Sequence, residues 1–167
     1  ARADGRVSDA CFSQWSLCRL VVDGGEYVNA EQFMMASKAR LFGDREMLTR
    51  ILAEGSPAKV KALGRQVRHF DAAVWERHRF DAVAFGSHAK FSQNEDLKAH
   101  LLSTGQSILV EAAPRDRIWG IGLGRENPLV NEPHRWRGQN LLGFALVHAR
   151  AVLREELPAI VGGPWRR

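Results

Sequence analysis

The chain has 167 residues, of which 45% are hydrophobic and 26% are charged, values typical of one soluble globular domain with a single core. Its formal net charge of +5 suits a phosphorylated or polyanionic ligand, although scattered arginines also produce a basic chain. No apolar run approaches the ~20 residues that a membrane span needs, and no signal peptide stands at the start. We therefore expect a single domain over residues 1–167, cytoplasmic and without a membrane partner.

The two cysteines, Cys11 and Cys18, belong to no CxxC motif and to no Cys/His cluster. Two thiols do not make a disulfide framework, and they favour a reducing compartment. Because no cluster has the spacing of metal ligands, we expect neither a metal site nor a cofactor.

The first predicted elements are a loosely ordered start and a β-hairpin. Residues 1–10 are polar and contain glycine, which favours loose order. Two short strands, at 19–22 and 26–28, flank the turn Asp23-Gly24-Gly25, a pattern that predicts antiparallel pairing.

The stretch 30–38 has the clearest helical signature. Asn29 is a favourable N-cap, and Gln32 follows three residues later, as a capping box requires. Glu31 and Lys38 share one face, about 10 Å apart along the helix axis. Glu31 sits near the positive end of the helix dipole, so we expect its carboxylate to stay ionised. A structural interpretation is also open, because first-turn Glu is common and Lys38 can simply be solvated.

The remaining chain is predicted to be mostly helical. The first helix ends near Phe42, and Ser56, Asp71 and Asn94 precede later helices, with Gly64 as a C-cap. The best strand is predicted at 108–111, the residues 164–167 are expected to form a frayed tail, and the later helices are expected at 45–53, 57–63, 72–90, 95–102 and 141–153. The predicted fold class is therefore α+β, predominantly helical, with a few short strands.

The segment 116–140 is too long for a simple connector, since loops of more than about 15 residues are usually functional or disordered. Its tryptophans argue against disorder. Trp119 could stack on a purine and Gly120 could let a ligand approach the backbone, but Trp119 is equally interpretable as a core residue. The GxGxG pattern does not lead from a strand into a helix, so the dinucleotide fingerprint is absent, as are Walker, GxSxG and HExxH motifs.

Short motifs in register along nearly the whole chain resemble those of the YbiA-like or NADAR family. They lie at 12–15 (FSQW), 31–38 (EQFMMASK), 64–65, 90–93 (KFSQ), 101–105, 109–111, 116–120 and 138–143. Gln14 and Trp15 replace the Asn–Phe of some members, and Ile121 stands where others have Asp. These departures indicate a subgroup and affect the substrate more than the chemistry.

The resemblance implies hydrolysis of N-glycosidic bonds at an anomeric carbon, without a metal or an organic cofactor. It implies two substrate classes: ADP-ribose attached to guanine bases in nucleic acid, and phosphoribosylamine-type intermediates of riboflavin synthesis. We expect the first, with ADP-ribosylated nucleic acid as the partner and a phosphorylated ribosyl small molecule as the alternative. A non-catalytic module that binds ADP-ribose or nucleic acid is a third interpretation, which the Glu31–Lys38 pair disfavours.

The expected catalytic residues are Glu31, Lys38 and Asp116. Cleavage of an N-glycosidic bond builds positive charge on the ribose, which an ionised carboxylate stabilises while it activates water. Glu31 is our choice for that role, and Asp116 or Glu111 could orient ribose hydroxyls. Lys38 could bind a phosphate or attack the anomeric carbon to form a Schiff base.

The expected substrate-binding residues include two cations for phosphate and several polar or aromatic groups. Arg65 and Lys90 occupy family motif positions, although they could be a helix-end charge and a solvated surface charge. Asn140 could read a polar edge or cap the last helix. The full expected set is Phe12, Ser13, Gln14, Trp15, Arg65, Lys90, Glu111, Trp119, Gly120 and Asn140.

Overall fold

The structure is a computed structural model that describes residues 7–166. Within that range it has one two-stranded sheet, six α-helices and three 3₁₀ helices. The strands are β1 (Leu20–Val22) and β2 (Gly25–Tyr27), and the helices are α1 (Ala30–Leu41), α2 (Arg45–Ala53), α3 (Pro57–Gly64), α4 (Ala72–Ser92), α5 (Glu95–Ser103) and α6 (Leu141–Leu153). The 3₁₀ helices are Asp9–Phe12, Pro128–Asn131 and Pro133–Arg135. The predicted α+β, mostly helical fold is confirmed.

Helix α1 lies at the centre and contacts α2, α3, α4 and β2. Asn29 caps it as predicted, because its side chain accepts a hydrogen bond from the Gln32 backbone at 2.9 Å. The Gln32 side chain reaches back to the Val28 amide at 2.9 Å, one residue further than the predicted capping box requires. Almost every side of α1 is buried, so its charged residues are held in fixed surroundings.

The end of α3 packs closely on α1 because Gly64 has no side chain. A Cβ at this position would lie 1.9 Å from the Met35 sulfur, and the Gly64 carbonyl accepts a hydrogen bond from Lys38 at 2.7 Å. Gly64 is the last residue of α3 and Arg65 occupies the C-cap, in a right-handed conformation. The predicted glycine cap is therefore wrong: the position needs glycine for close packing.

Helix α4, the longest of the described helices, packs along α6, and these two helices form the second half of the core. Both helices bury alanines, including Ala82 and Ala89 of α4 and Ala145 and Ala149 of α6. Small residues let helix axes approach closely, and burial of the flanking Val83 and Leu146 adds about 1.5–3 kcal/mol each. No helix within residues 7–166 is both long and apolar enough to cross a membrane.

Segment 108–111 is not a strand, contrary to our prediction. Its backbone pairs with a side chain instead of a neighbouring strand: Asn140 donates to the Leu109 carbonyl at 2.9 Å and accepts from the Glu111 amide at 3.0 Å. Residue pattern alone does not reveal whether a strand partner exists. In the described chain the only sheet is the β1–β2 hairpin, whose register pairs Val21 with Glu26.

The end of the described chain is part of the core, and the predicted frayed tail at 164–166 is wrong. Trp165 is buried with its ring edge-on to Phe33 and Phe85, and Arg166 pairs with Asp23 in the hairpin turn. An indole buries enough apolar area to order such a segment. Residues 1–6 and residue 167 lie outside the described chain. Of the start that we expected to be loosely ordered, the last two residues belong to the 3₁₀ helix Asp9–Phe12.

Candidate active site

Glu31 lies in the first turn of α1 and is only 3% exposed. Its backbone N–H donates to the Gln14 carbonyl at 3.0 Å, and the Trp15 indole N–H donates to its Oε2 at 3.3 Å. The other carboxylate oxygen, Oε1, is buried and has no hydrogen-bond partner among the described residues. A buried carboxylate oxygen without a donor is costly in a folded protein, and a catalytic role is one of the reasons for which such an atom is retained.

Burial raises the pKa of Glu31 above its ordinary value, against the lowering effects of Lys61, the Trp15 hydrogen bond and Arg65. Desolvation disfavours the ionised form, so it acts against the stabilisation that we expect from the helix dipole. A carboxyl group with a raised pKa exchanges protons closer to neutral pH. Glu31 is thereby suited to general acid–base work.

Two cations lie at the end of α3, Lys61 in the helix and Arg65 as its C-cap residue, and both act on the carboxyl region. Lys61 and Arg65 are four residues apart, so they share one face of the helix. Lys61 acts on the pKa values of both Glu31 and Glu111, and Arg65 acts on those of both Glu31 and Lys38. We expected Arg65 here but missed Lys61, which its i, i+4 spacing from Arg65 could have indicated.

Lys38 occupies the other end of the same face of α1. Its ammonium donates to the Gly64 carbonyl at 2.7 Å and lies 4.0 Å from the centre of the Phe70 ring. Burial lowers the pKa of Lys38, and the nearby Arg65 lowers it further. A lysine with a lowered pKa holds more of the neutral amine that nucleophilic attack requires.

Lys90 has a different position from the one we expected. It is 1% exposed, and its ammonium donates to the Cys11 carbonyl at 2.6 Å and to the Ser13 carbonyl at 2.9 Å. Burial lowers the pKa of Lys90. It is not a solvated surface charge, and its geometry argues against direct phosphate contact. Its two hydrogen bonds connect α4 to segment 11–15, which contains Trp15.

The remaining residues of segment 11–15 line the site in part. The Phe12 ring stacks on His100 at 5.2 Å, and the Ser13 hydroxyl accepts a hydrogen bond from the Trp15 backbone at 3.2 Å. Gln14 is buried and Trp15 is partly exposed. Of this segment, the indole of Trp15 is the group with direct access to both Glu31 and solvent.

Asn140 is buried in a left-handed conformation (φ 53°, ψ 34°), which asparagine tolerates better than most residues. Asn140 is the N-cap residue of α6, as one of the two predictions has it, and its backbone carbonyl accepts from the Phe144 N–H at 3.0 Å, but its side chain makes no cap hydrogen bond. Both amide atoms are used by Leu109 and Glu111. Asn140 therefore holds the backbone that carries Glu111. We expected its side-chain amide to bind a polar edge of the ligand, but both amide atoms are already hydrogen-bonded within the protein.

The turn at 116–120 is built by Asp116 and closed by Gly120. One Asp116 oxygen accepts from the backbone of Ile118 at 2.9 Å and of Trp119 at 2.8 Å. A Cβ on Gly120 would lie 2.9 Å from the Glu111 carbonyl, so the protein's own backbone fills the space we had assigned to a ligand. Trp119 is half-buried and packs against the core.

Asp116 lies near enough to Glu31 and to Glu111 to affect both carboxyl groups. Asp116 raises the pKa of Glu31 and of Glu111, and burial is the larger cause at both. Glu111 also lines a cavity of about 420 Å³ together with Phe12 and Ser13. Of the predicted residues, the fold brings together Glu31, Asp116, Glu111, Arg65 and Trp15.

Comparison with known proteins decides the family. The NADAR domain matches residues 3–154. The chain belongs to the NADAR family. It is 48% identical over 144 residues to N-glycosidase R617 of Acanthamoeba polyphaga mimivirus, covering 83% of this chain and 85% of that protein.

Two further NADAR relatives are more distant. N-glycosidase YbiA of Escherichia coli is 28% identical, and its NMR structure superposes with a TM-score of 0.72, covering 89% of this chain and 81% of that one. A protein of Vibrio vulnificus named Riboflavin biosynthesis protein VVA0006 is 28% identical over 84% of this chain, but the match spans 35% of that protein.

The NADAR site described above holds no cluster of three or more His, Cys, Asp or Glu side chains able to hold a metal ion, within residues 7–166. Its groups are carboxyls, an indole, the two cations Lys61 and Arg65 at the end of α3, and one lysine of α1. These can bind an anionic sugar derivative, transfer protons and stabilise positive charge.

Proposed function

We propose that this NADAR protein is an N-glycosidase that removes ADP-ribose from guanine bases in nucleic acid. The observation that carries the proposal is Glu31, a buried carboxyl group with one oxygen held by the Trp15 indole and the other unpaired among the described residues. The N-glycosidase relatives support the reaction class. The cations of α3 and the indole support a ligand with phosphates and a base.

In this proposal Glu31 acts on the carbon that joins ribose to guanine. As that bond breaks, positive charge develops on the ribose, and the carboxylate stabilises it. Its Oε1 accepts a proton from the attacking water, whose oxygen bonds to the anomeric carbon. The bonding electrons leave with the guanine nitrogen, which takes up the proton that Glu31 accepted from water, so the carboxylate is restored. The products are free ADP-ribose and the unmodified base.

Trp15 positions the carboxylate and presents its exposed surface beside it. Its N–H holds Oε2, so Oε1 is the oxygen that remains for water or substrate. An indole face stacks on bases with about 1–3 kcal/mol each. Asp116 and Glu111, which lie in the same charged region, are the proposed partners of the ribose hydroxyls.

A second candidate substrate is a phosphoribosylamine-type intermediate of riboflavin synthesis. It is favoured by the name of the Vibrio relative, although the match spans 35% of that protein. Both substrates carry an N-glycosidic bond and at least one phosphate. They differ in the adenosine group, which only the first contains.

The test is to incubate the purified protein with an ADP-ribosylated guanine oligonucleotide and, separately, with the phosphoribosylamino pyrimidine, and to follow products by mass spectrometry. We expect release of ADP-ribose from the oligonucleotide. Glu31→Gln should reduce turnover by about 100-fold or more, the range for loss of a positioned catalytic group.

The matched control is Glu126→Gln, an exposed glutamate outside the site, which should keep the wild-type rate. Cleavage of the phosphoribosylamino pyrimidine without cleavage of the oligonucleotide would contradict the proposed ADP-ribosyl substrate and favour the riboflavin intermediate. Normal turnover by Glu31→Gln would remove Glu31 from the mechanism.

A further inference from the structure

Phe70 is a large apolar side chain that is 46% exposed yet fixed in place. Its ring packs against Phe42, with centroids 5.3 Å apart at 67°, and the Lys38 ammonium lies 4.0 Å from its centre. The preceding residue, His69, has a left-handed backbone (φ 57°) that turns the chain there. An exposed ring held on two sides offers a flat apolar surface to a ligand.

This ring lies at the Lys38 end of the site, and Glu31 lies at the other end. The two α1 residues are two helical turns apart, about 10 Å along the axis. Arg65 is near both, because it follows Gly64, whose carbonyl binds Lys38, and its charge acts on both Lys38 and Glu31. The order along the site is therefore carboxyl, cations, lysine and aromatic ring.

An ADP-ribosyl group has the same order of chemical parts. Its anomeric carbon is followed by a diphosphate, a second ribose and adenine. We infer that Phe70 forms an adenine subsite, with Arg65 and Lys61 binding the diphosphate, so that the site accepts an adenosine diphosphate moiety. This rests on the proposed function, and it selects the ADP-ribosyl substrate because a phosphoribosylamine has nothing to place on Phe70.

Calorimetric titration tests the subsite without turnover, with ADP and inorganic pyrophosphate as probes. Phe70→Ala should raise the Kd for ADP about 5-fold to 100-fold, the range for loss of one base–aromatic stack. Its Kd for pyrophosphate should stay within about twofold of wild type. Phe70→Tyr, which keeps the ring, should bind ADP nearly as wild type.

The matched control is Phe144→Ala, which removes an equally exposed phenylalanine (41%) from α6 and should change neither Kd. Phe70→Leu keeps apolar bulk without an aromatic face and covers the case in which the alanine variant fails to fold. It should also weaken ADP binding. Arg65→Gln should weaken both ADP and pyrophosphate.

Unchanged ADP affinity in Phe70→Ala or Phe70→Leu would overturn the subsite, as would no ADP binding by the wild-type protein. Equal loss of ADP and pyrophosphate in both variants would overturn it too. The proposed function fails separately, through absent release of ADP-ribose from the oligonucleotide by the wild-type protein.

Discussion

Two lysines of this protein, Lys38 and Lys90, occupy comparable motif positions but lie in different regions. Burial lowers the pKa of both, and both donate to backbone carbonyls. Lys90 is enclosed and its ammonium joins two carbonyls of segment 11–15. Lys38 is half-buried, has one carbonyl partner and faces an exposed ring. The comparison shows that two motif lysines can differ in how many of their three donors the fold uses: two for Lys90 and one for Lys38 among the described residues.

The largest effect in question is at Lys38, where two placements of the substrate give opposite results. The Phe70 subsite puts the anomeric carbon at Glu31, so Lys38→Arg should retain most of the turnover. If instead the Lys38 amine attacks the sugar, Lys38→Arg should lower turnover about 1,000-fold or more, because a guanidinium stays protonated and is a poor nucleophile. Borohydride added during turnover of the wild-type protein should then trap a covalent adduct on Lys38, seen by peptide mass spectrometry. An active Lys38→Arg protein without an adduct would leave Lys38 as a phosphate contact and Glu31 with activated water.

A smaller and different effect is expected at Lys90. Lys90→Met leaves the buried Cys11 carbonyl without its donor, which costs about 1–3 kcal/mol, while the Ser13 carbonyl keeps the Ser16 backbone N–H as a donor. Urea unfolding should show that loss of stability. Turnover should fall about tenfold as Trp15 and Glu31 lose their alignment, because proton-transfer groups act only when positioned.

The Lys90 variant also sharpens the comparison of the two lysines. If Lys38 is the nucleophile, Lys90→Met should still form the borohydride adduct, since the reacting amine is intact. Loss of the adduct with full retention of stability would contradict a positioning role and would place Lys90 in the chemistry.

The smallest effects concern the pH dependence of kcat/KM. Activity that needs an ionised Glu31 is lost as the pH falls through the raised pKa of this group, and this loss sets the acidic limb of the profile. Lys61→Gln removes a charge that lowers the pKa of Glu31, so the acidic limb should move to higher pH. Arg65→Gln should move it the same way. A pH–rate profile in which neither variant moves the acidic limb would exclude Glu31 as its source.

Arg65→Gln has a second consequence that Lys61→Gln lacks. Arg65 also lowers the pKa of Lys38, so its removal should raise the pH at which the neutral amine forms. Trapping with borohydride measured against pH should therefore shift to higher pH in Arg65→Gln and stay in place in Lys61→Gln. Equal shifts would show that Arg65 has no particular relation to Lys38.

The helices could be predicted from the sequence because their signals are local. Asn29, Asp44 and Asp71 each cap the helix that follows, and every predicted helix boundary lies within two residues of the observed one. The family motifs also brought out Glu31 and Arg65. Caps and periodicity act over a few residues, which is the range that a single sequence displays.

Features that depend on distant partners could not be predicted in the same way. Segment 108–111 has strand composition, but its partner is the side chain of Asn140, about thirty residues later. Burial of Glu31 depends on residues distant in the chain, so the sequence does not reveal the desolvation that raises its pKa. Phe70 carried no periodic or motif signal, and only the approach of Lys38 identifies it.

The burial of Trp165 bears on where this domain can be cut. The NADAR match ends at residue 154, eleven positions before an indole that packs edge-on against Phe33 of α1 and Phe85 of α4. A recombinant fragment trimmed to the matched region would expose both rings and loosen the helix that carries Glu31. The region matched by the family is therefore shorter than the region that packs together in the structure.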